Sequence, residues 1–306
     1  MPEIRQGRVV DWHKFSPSLA IFRLVALDGA AFPSFEGGQS IALRRYDCLL
    51  TKKVKEGTDV RYVPDLDEHG TQKRGQVTHS YSIASAPFES AQGKHLEFYV
   101  VLERGSDGVL GRFTESLFRI ETNGDDRVDY VERIVGDFTL AKRAAGLENV
   151  LMVGTGTGLA PFVAMIKQLH FDARRDGASR TRFTLIYANR TYEELAYHRE
   201  LLDIEASNAF DFVYVPSVSR PTERDRADRQ IGLGRANNVL RHIVGLGPSE
   251  ANAVPPKLPA DRPLTMLLER TEPSSTVVLT CGNPGGMEDI AWTAAHVGMR
   301  FEKEDW

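Results

Sequence analysis

The sequence predicts a chain of two domains, an N-terminal antiparallel β-barrel and a C-terminal parallel α/β domain. The prediction rests on the length, on short strand-like runs in the first half, and on strands that alternate with helices in the second. At 306 residues the chain has about twice the size of a common domain. We therefore expect a first domain over residues 1–145 and a second over residues 146–306.

Short runs rich in Val, Ile, Phe and Tyr fill the first half, separated by clusters of Gly, Pro, Asp and Ser. They are RQGRVVDWH, LAIFRLVAL, QSIALRRY, VTHSYSIAS, HLEFYVVLE and RVDYVERIVG. Short strands at this density indicate a small closed barrel. The polar and charged residues 48–76 are more than a hairpin needs, and we interpret them as an insertion that forms a β-ribbon or an ordered surface loop.

The second half alternates apolar runs with helical periodicity. The strand-like runs are ENVLMVG, RFTLIYANR, DFVYVPSVS and TVVLTCG, and the helical runs are APFVAMIKQLHFDARR and TYEELAYHRELLDIEAS. This alternation indicates parallel βαβ units with helices on both faces of the sheet, which is a Rossmann-like arrangement.

Composition narrows the function classes. With 42% hydrophobic and 26% charged residues the chain has an ordinary globular balance, and a net charge of −4 gives no overall attraction to nucleic acid or to an anionic membrane. The opening residues lack an apolar signal segment and no run is long enough to span a bilayer, so we expect a cytoplasmic protein. Cys48 and Cys281 are too few for a four-thiolate cluster, although one bridge between them stays open. We expect no metal, and any redox chemistry must use another cofactor.

A glycine-rich run, VLMVGTGTGLAPFVAMI over residues 150–166, is the strongest single motif. A strand leads into Gly154, Thr155, Gly156, Thr157 and Gly158, and a helix follows with Pro161 in its first turn. Glycines let the backbone approach an anion, and the helix N-terminus offers unpaired N–H groups, so the run predicts a phosphate site. Leu159 stands where a strict dinucleotide fingerprint has its third glycine, so a glycine-rich turn without a ligand remains the alternative.

The segment HSYSIAS, residues 79–85, is polar where a core strand usually carries Val or Ile. A flat aromatic ring at Tyr81 can pack on a planar cofactor, and the Ser82 hydroxyl can hydrogen-bond to it. Taken alone, the segment fits equally well a strand whose tyrosine fills the barrel wall.

The motifs GTGTGLAP, HSYSIAS, YANRTYEELAY and CGNP and the terminal Trp306 resemble those of the ferredoxin–NADP reductase family, in particular its bacterial branch. The resemblance covers nearly the whole chain apart from residues 48–76 and roughly 221–270. It implies FAD in the barrel, NADP(H) on the second domain, hydride transfer between them, and single electrons exchanged with ferredoxin or flavodoxin. We expect such a reductase to act as a monomer.

For the flavin, the resemblance implies that His79, Tyr81, Ser82 and Ile83 bind FAD, with Tyr81 packed on the isoalloxazine and Ser82 near its N5. The family has arginine where His79 stands. Histidine offers fewer donors and a charge that titrates near neutrality, so we expect phosphate binding that is weaker or shared and that declines as pH rises. The alternative is that His79 faces solvent and another residue takes the phosphate.

A second flavin segment is GRFTESLF, residues 111–118. It resembles a family segment in which Gly111 and Thr114 begin a short helix whose N–H groups face the FAD pyrophosphate. An ordinary capped helix fits the same residues.

For the nicotinamide cofactor, Arg190, Ser219, Arg220 and Arg235 resemble the family's 2′-phosphate positions. Arginine near the ends of successive strands favours NADP over NAD. Each arginine taken alone reads equally as a solvated surface charge.

The last motifs lie near the C-terminus. The resemblance implies that Cys281 lies beside the nicotinamide C4 and helps to position the hydride, with Gly282 and Asn283 closing on the cofactor. A buried structural cysteine is the alternative, and the extra glycine before Met287 departs from the family spacing. The resemblance also implies that Trp306 covers the flavin face opposite Tyr81, so its deletion should change flavin accessibility and the NADPH to NADH preference.

An acidic electron carrier needs a basic surface. Candidates are Arg44, Arg45, Lys52, Lys53 and Lys55, which fit a solvated charged loop equally well. Two other functions share these motifs: an NAD(P)H-dependent reductase component of an oxygenase system, and a non-enzymatic flavin- or nucleotide-sensing subunit.

Overall fold

The computed structural model describes residues 3–56, 59–105 and 108–304 and divides into two compact units. Unit 1 comprises Met1–Phe35, Ser40–Ser82 and Glu89–Val135, and unit 2 comprises Glu36–Gln39, Ile83–Phe88 and Gly136–Trp306. Close packing explains why residues 36–39 belong to unit 2. A Cβ at Gly38 would lie 2.0 Å from the carbonyl oxygen of Phe138, so only glycine allows this approach.

Unit 1 is built from antiparallel strands, as predicted. They are β1 Ile4–Arg5, β2 Gly7–Ser16, β3 Leu19–Ala26, β4 Ser40–Leu49, β5 Thr51–Glu56, β6 Asp59–Pro64, β7 Arg74–Ser82, β8 His95–Val101 and β9 Asp129–Val135. One sheet has the order β1-β9-β4-β7 and another the order β2-β3-β8. A bridge between Arg8 and Arg127 links a residue of β2 to the segment that precedes β9.

Side chains that alternate along these strands build the core of unit 1. Phe22 and Leu24 of β3 and Leu96 and Phe98 of β8 are completely buried. The rings of Phe22 and Phe98, paired in register across the two strands, stack with centroids 5.1 Å apart. Cross-strand aromatic pairs of this kind stabilise a sheet by up to about 1 kcal/mol each.

The insertion forms a β-ribbon. Strands β5 and β6 pair antiparallel, from Thr51 with Pro64 to Glu56 with Asp59. A further bridge joins Leu66 to Gln72. One of the two structures expected for residues 48–76 is therefore present.

The helices of unit 1 are short: α1 Pro87–Gly93, whose first two residues belong to unit 2, α2 Arg112–Phe118 and α3 Ile120–Asn123. Arg45 of β4 holds α2 in place. Its side chain is 1% exposed and donates to the hydroxyl of Ser116 at 2.9 Å and to the carbonyl of Asp125 at 2.8 Å. The expectation that Arg45 belongs to a basic docking surface is wrong, because its guanidinium is buried and donates hydrogen bonds within unit 1.

Unit 2 is a parallel sheet with helices, also as predicted. Its strands are β10 Asn149–Thr155, β11 Arg182–Asn189, β12 Phe212–Val218, β13 Gly232–Leu233, β14 Thr276–Cys281 and β15 Arg300–Lys303, in the order β13-β12-β11-β10-β14-β15. Its helices are α4 Leu140–Arg143, α5 Ala160–Asp176, α6 His198–Ala206, α7 Glu223–Ala227, α8 Ala236–Ile243, α9 Leu264–Leu268 and α10 Pro284–Val297. Single turns of 3₁₀-helix lie at Gly156–Leu159, Tyr192–Glu194 and Pro273–Ser275.

Helices cover both faces of this sheet. Leu151 and Ile186 of the strands, Leu240 of α8 and Ile290 of α10 belong to one buried cluster. Successive side chains of a strand point to opposite faces, and on the other face Phe162 of α5 packs under Gly154. The direction in which strands are added reverses between β10 and β14, and ligands of such sheets bind outside the carboxyl ends of the strands at that reversal.

The second predicted helix of this unit begins later than expected. Residues 191–207 were expected to be helical throughout, but α6 starts only at His198. Tyr197 has a φ of 58° and breaks the helix, and the Asn189 side-chain amide donates to the Glu194 carbonyl at 2.7 Å. The polar end of β11 thus holds the first half of this segment in a turn.

Across residues 3–56, 59–105 and 108–304, the helices are all too short or too polar to cross a lipid bilayer.

Candidate functional site

Unit 1 contains a cavity of about 460 Å³. The residues lining it are Thr51, Arg61, Tyr62, Val77, His79, Glu103, Arg104, Gly105, Val109, Leu110, Gly111, Arg112 and Phe113. His79 and Gly111, which come from two separate sequence motifs, meet here. The volume lies in the range of small-molecule and cofactor sites.

The cavity lining favours an anion. It includes three arginines, Arg61, Arg104 and Arg112, beside His79, while Glu103 is the acidic member among the described lining residues. Arg104 donates to the carbonyl of Gly108 at 3.1 Å. Arginine carries a permanent charge and a planar set of donors that suits phosphate.

Tyr81 lies in the wall beside this cavity. Its ring packs against those of His79 and Phe113, with centroids 5.1 and 5.2 Å away. Its hydroxyl is buried and has no hydrogen-bond partner among the described residues. Burial, and then the charge of Glu103, raise the pKa of the Tyr81 phenol well above its usual range, so it stays protonated at neutral pH. Ser82 and Ile83 are both buried.

The segment GRFTESLF contains a short helix. Helix α2 begins at Arg112, two residues before Thr114, so Thr114 lies in its first turn. The Thr114 hydroxyl accepts from the N–H of Glu103 at 3.2 Å and donates to the carbonyl of Gly111 at 3.3 Å. A Cβ at Gly111 would lie 2.5 Å from Glu103 Oε2, so glycine leaves the room that the Glu103 side chain occupies.

In unit 2 the glycine run turns sharply after β10. Gly156 has a φ of 55°, which glycine adopts readily, and α5 follows the 3₁₀ turn with Pro161 near its start. A Cβ at Gly158 would lie 2.2 Å from the carbonyl oxygen of Cys281. The GTGTG and CGNP motifs therefore pack directly on each other, at the reversal of the sheet. Thr157 lies half-buried in this turn.

A second cavity, of about 140 Å³, lies at the carboxyl ends of β10, β11 and β12. Its lining consists of Thr155, Gly156, Ala188, Asn189, Arg190, Ser219, Arg235 and Ala236. The structure thus brings the glycine run together with Arg190, Ser219 and Arg235. Arg220 is exposed and is not part of the lining.

Two of these arginines are paired with carboxylates. Arg190 donates to both Glu194 oxygens, from Nε at 2.7 Å and from Nη2 at 2.6 Å. Arg235 donates to Glu250 at 2.7 Å.

Cys281 is a buried thiol at the end of β14. Its Sγ donates to Oε2 of Glu304 at 2.8 Å, and Glu304 is itself only 6% exposed. Burial, and then the negative charge of Glu304, raise the pKa of this thiol well above its usual range. A protonated, buried thiol is a poor nucleophile and a fixed hydrogen-bond donor. Cys48 is also free and buried, so no bridge joins the two cysteines.

The CGNPGG loop starts helix α10. Asn283 caps it, since its side chain accepts from the N–H groups of Gly285 and Gly286 at 3.1 and 3.4 Å. Its own N–H donates to the hydroxyl of Thr155 at 3.2 Å. Gly282 has a φ of 135°, and a Cβ there would lie 2.1 Å from that hydroxyl. The pair Gly285-Gly286, which departs from the family spacing before Met287, lies within the first turn of α10.

Trp306 lies outside the described residues. Sequence reasoning missed Glu304, which reaches Cys281 because β15 pairs in parallel with β14. It also missed Arg61 and Arg104, and the only signal for Arg112 was its place in the GRFTESLF segment. No cluster of His, Cys, Asp or Glu suited to a metal ion is found in the described part of the chain.

Comparison with known proteins identifies the class of one domain of the chain. Residues 152–242 match the family model of the oxidoreductase NAD-binding domain, which lies wholly within unit 2. The match therefore gives residues 152–242 the class of an oxidoreductase NAD-binding domain. The chain is similar to proteins of the ferredoxin–NADP reductase kind over part of its sequence and over its fold.

Three similar proteins illustrate the relationship. The flavodoxin/ferredoxin–NADP reductase of Buchnera aphidicola subsp. Baizongia pistaciae is 28% identical over 135 residues, which are 44% of this chain and 47% of that protein. The human (Homo sapiens) NADH-cytochrome b5 reductase 2 is 26% identical over 152 residues, 50% of this chain and 42% of that protein. The chain therefore spans less than half the length of the curated relatives it matches.

Among solved structures, a ferredoxin NADP+ reductase from Neisseria gonorrhoeae with bound FAD and NADP matches 99% of both chains with a TM-score of 0.59. Its sequence identity is 18%, so this likeness speaks for the fold.

Proposed function

We propose that the chain is an FAD-dependent reductase that oxidises NADPH and passes single electrons to a small carrier of the ferredoxin or flavodoxin kind. One observation carries the proposal: each unit contains a cavity whose lining suits part of a dinucleotide. The cavity of unit 1 combines arginines with neighbouring aromatic rings, and the cavity of unit 2 lies at the carboxyl ends of parallel strands beside the glycine run.

The residues of unit 1 fit FAD. The arginines can hold its pyrophosphate, and the orphaned hydroxyl of Tyr81 leaves a buried donor for a polar group of the ligand. Gly111 has no side chain, which leaves room for the Glu103 carboxylate at the cavity wall. His79 lines the same cavity, so phosphate binding is shared between His79 and the arginines in this proposal.

The residues of unit 2 fit a phosphorylated dinucleotide. The glycine run brings backbone close to the ligand, and Arg190, Ser219 and Arg235 surround the small cavity where a 2′-phosphate would bind. The neutral thiol of Cys281 is held by Glu304, so it serves to orient the nicotinamide by contact and does not attack it. When bound, FAD supplies the redox chemistry, since it accepts a hydride and releases its two electrons one at a time.

The visible spectrum of the purified protein tests this proposal during anaerobic addition of NADPH, with NADH as a parallel titration. We expect a yellow protein that is bleached at much lower concentrations of NADPH than of NADH. A flavin that stays oxidised with both nucleotides contradicts the reductase and favours the non-enzymatic sensing subunit.

A second candidate is a reductase that prefers NADH, such as the reductase component of an oxygenase system. The observation that favours it is the pair Arg190–Glu194: a carboxylate shortly after the second strand is the usual partner of a ribose 2′-hydroxyl. In the same titration this candidate predicts bleaching by NADH at concentrations equal to or lower than those of NADPH.

The carrier would dock on exposed lysines of the β-ribbon. Lys52, Lys53 and Lys55 are exposed, whereas Arg44 is half-buried and donates to Thr78 at 3.0 Å. Reversal of the three lysine charges should slow reduction of an acidic ferredoxin and leave reduction of a small dye unchanged. Equal rates for parent and variant with the ferredoxin would place docking elsewhere.

A further inference from the structure

The β-ribbon contributes to the cavity of unit 1. Thr51, Arg61 and Tyr62 line it, and all three come from residues 48–76, the segment that the family resemblance does not cover. This segment therefore supplies part of a ligand site as well as an exposed surface.

The charges of the cavity suggest what the ribbon supplies. At position 79 the family resemblance predicts an arginine, and this chain has a histidine there. Arg61 lines the same cavity as His79 from a different strand pair. A permanent guanidinium charge on β6 is thus present at the cavity that His79 lines from β7.

Tyr62 adds an aromatic surface. It is 49% exposed, which leaves a large part of its ring available for stacking with a planar base. An arginine beside an exposed ring is suited to a nucleotide, whose phosphate and base need one partner each.

We propose that Arg61 and Tyr62 of the β-ribbon bind the adenylate half of FAD, so that the ribbon makes the protein select FAD over FMN. This inference rests on the proposed function, because it requires flavin in unit 1. It assigns a ligand-binding role to residues of the insertion and leaves the isoalloxazine to Tyr81 and Ser82.

Flavin binding by the apoprotein tests the proposal without any turnover. Protein freed of flavin is titrated with FAD and, separately, with FMN, and binding is followed by quenching of flavin fluorescence. Four proteins are compared: the parent, Arg61→Gln, Tyr62→Ala and Lys52→Gln. Lys52 pairs with Val63 in the same ribbon and does not line the cavity, so Lys52→Gln removes one charge from the ribbon as a matched control.

We expect the parent to bind FAD more tightly than FMN. Arg61→Gln should weaken FAD binding about 10- to 100-fold, the effect of a lost charge-assisted hydrogen bond, and should leave FMN affinity within about twofold. Lys52→Gln should change neither affinity by more than about twofold. Tyr62→Ala should likewise weaken FAD binding and leave FMN affinity unchanged.

The outcomes separate this inference from the proposed function. A parent protein that binds neither flavin overturns the proposed function itself. A parent that binds FAD while Arg61→Gln and Tyr62→Ala bind it equally well overturns only the role of the ribbon. Equal weakening of FAD and FMN by Arg61→Gln also overturns it, because the effect would not depend on the adenylate half. Thermal unfolding of each apoprotein identifies any variant whose fold has changed.

Discussion

The thiol of Cys281 donates a hydrogen bond to the carboxylate of Glu304 across 2.8 Å, and both groups are buried. The contact joins the end of β14 to the residue that follows β15. Because the thiol is buried and its pKa is raised, Cys281 is a hydrogen-bond donor within unit 2 and a poor nucleophile.

Replacement of Cys281 should reveal this hydrogen bond. Cys281→Ala removes the donor from a buried carboxylate, and we expect the free energy of unfolding to fall by about 1–3 kcal/mol at pH 7. Cys281→Ser keeps a donor at the same position and should lose less. Urea denaturation followed by tryptophan fluorescence measures both variants, and equal stability of the alanine variant and the parent would contradict the role of the contact.

The raised pKa of the Cys281 thiol should make the free energy of unfolding depend on pH in the alkaline range. Its pKa is raised in the folded state, so its contribution to stability is complete below the pKa of an unfolded thiol, about 8.5. The contribution is lost as pH rises from there towards the folded pKa, because the unfolded chain releases the proton first. The parent should therefore lose more stability between about pH 8 and pH 10 than Cys281→Ser, measured by chemical denaturation at each pH. Parallel pH profiles of the two proteins would argue against it.

The lowered pKa of Asp47 should give the free energy of unfolding the opposite pH dependence in the acid range. Burial opposes ionisation of this carboxyl, but hydrogen bonds from Ser116 at 2.6 Å and Arg119 at 2.8 Å, with the charges of Arg119 and Arg45, outweigh burial and lower its pKa. Its contribution is thus present above the unfolded pKa of about 4 and is lost as pH falls through the folded pKa.

Asp47→Asn should reduce the free energy of unfolding by about 1 kcal/mol at neutral pH, a value lowered by the partial exposure of the side chain. The difference from the parent should shrink below about pH 4. Thermal melts from pH 3 to 7 check this, and a constant difference across that range would show that Asp47 does not ionise within the network.

Gly158 should not tolerate alanine. Its Cβ would lie 2.2 Å from a backbone oxygen of Cys281, and a backbone atom cannot move aside as a flexible side chain can. We expect Gly158→Ala to reduce stability by about 1–3 kcal/mol or more.

Gly286→Ala provides the matched comparison for Gly158. This glycine lies in the first turn of α10 with no atom within 4 Å of its added Cβ, and alanine favours the helix by up to about 1 kcal/mol. Differential scanning calorimetry should show melting temperatures that move in opposite directions. A Gly158→Ala protein as stable as the parent would mean that the two loops separate easily.

Arg190 should influence nucleotide choice more than Arg220 does. Arg190 lines the cavity of unit 2, and Arg220 does not. In the proposed NADPH-dependent reductase, Arg190→Gln should lower the ratio of kcat/KM for NADPH to that for NADH about tenfold or more, because the proposed charge-assisted contact to the 2′-phosphate would be lost. Arg220→Gln should change the ratio by less than about threefold. A similar fall of this ratio in both variants would mean that the 2′-phosphate also contacts Arg220, outside the residues that line the cavity of unit 2.

Local patterns in the chain were sufficient to predict the two kinds of sheet and the glycine turn before α5, and they gave the β-ribbon as one of two alternatives for residues 48–76. Alternation in β3 and the helical period of α5 are properties of neighbouring residues, and a Gly-rich turn between a strand and a helix has few other conformations. The later start of α6 was missed because it depends on one side chain, Asn189, that competes for a backbone carbonyl.

The composition of each site depended on contacts between residues far apart in the chain. Cys281 and Glu304 are 23 residues apart and meet only because β15 pairs with β14, while Arg45 and Ser116 are 71 residues apart and meet where α2 packs on β4. Arg61 reaches a cavity with His79 in the same way. Short motifs record which backbone conformations a segment prefers, whereas the partner of a charged or polar side chain is chosen by strand pairing and packing, which no local pattern contains.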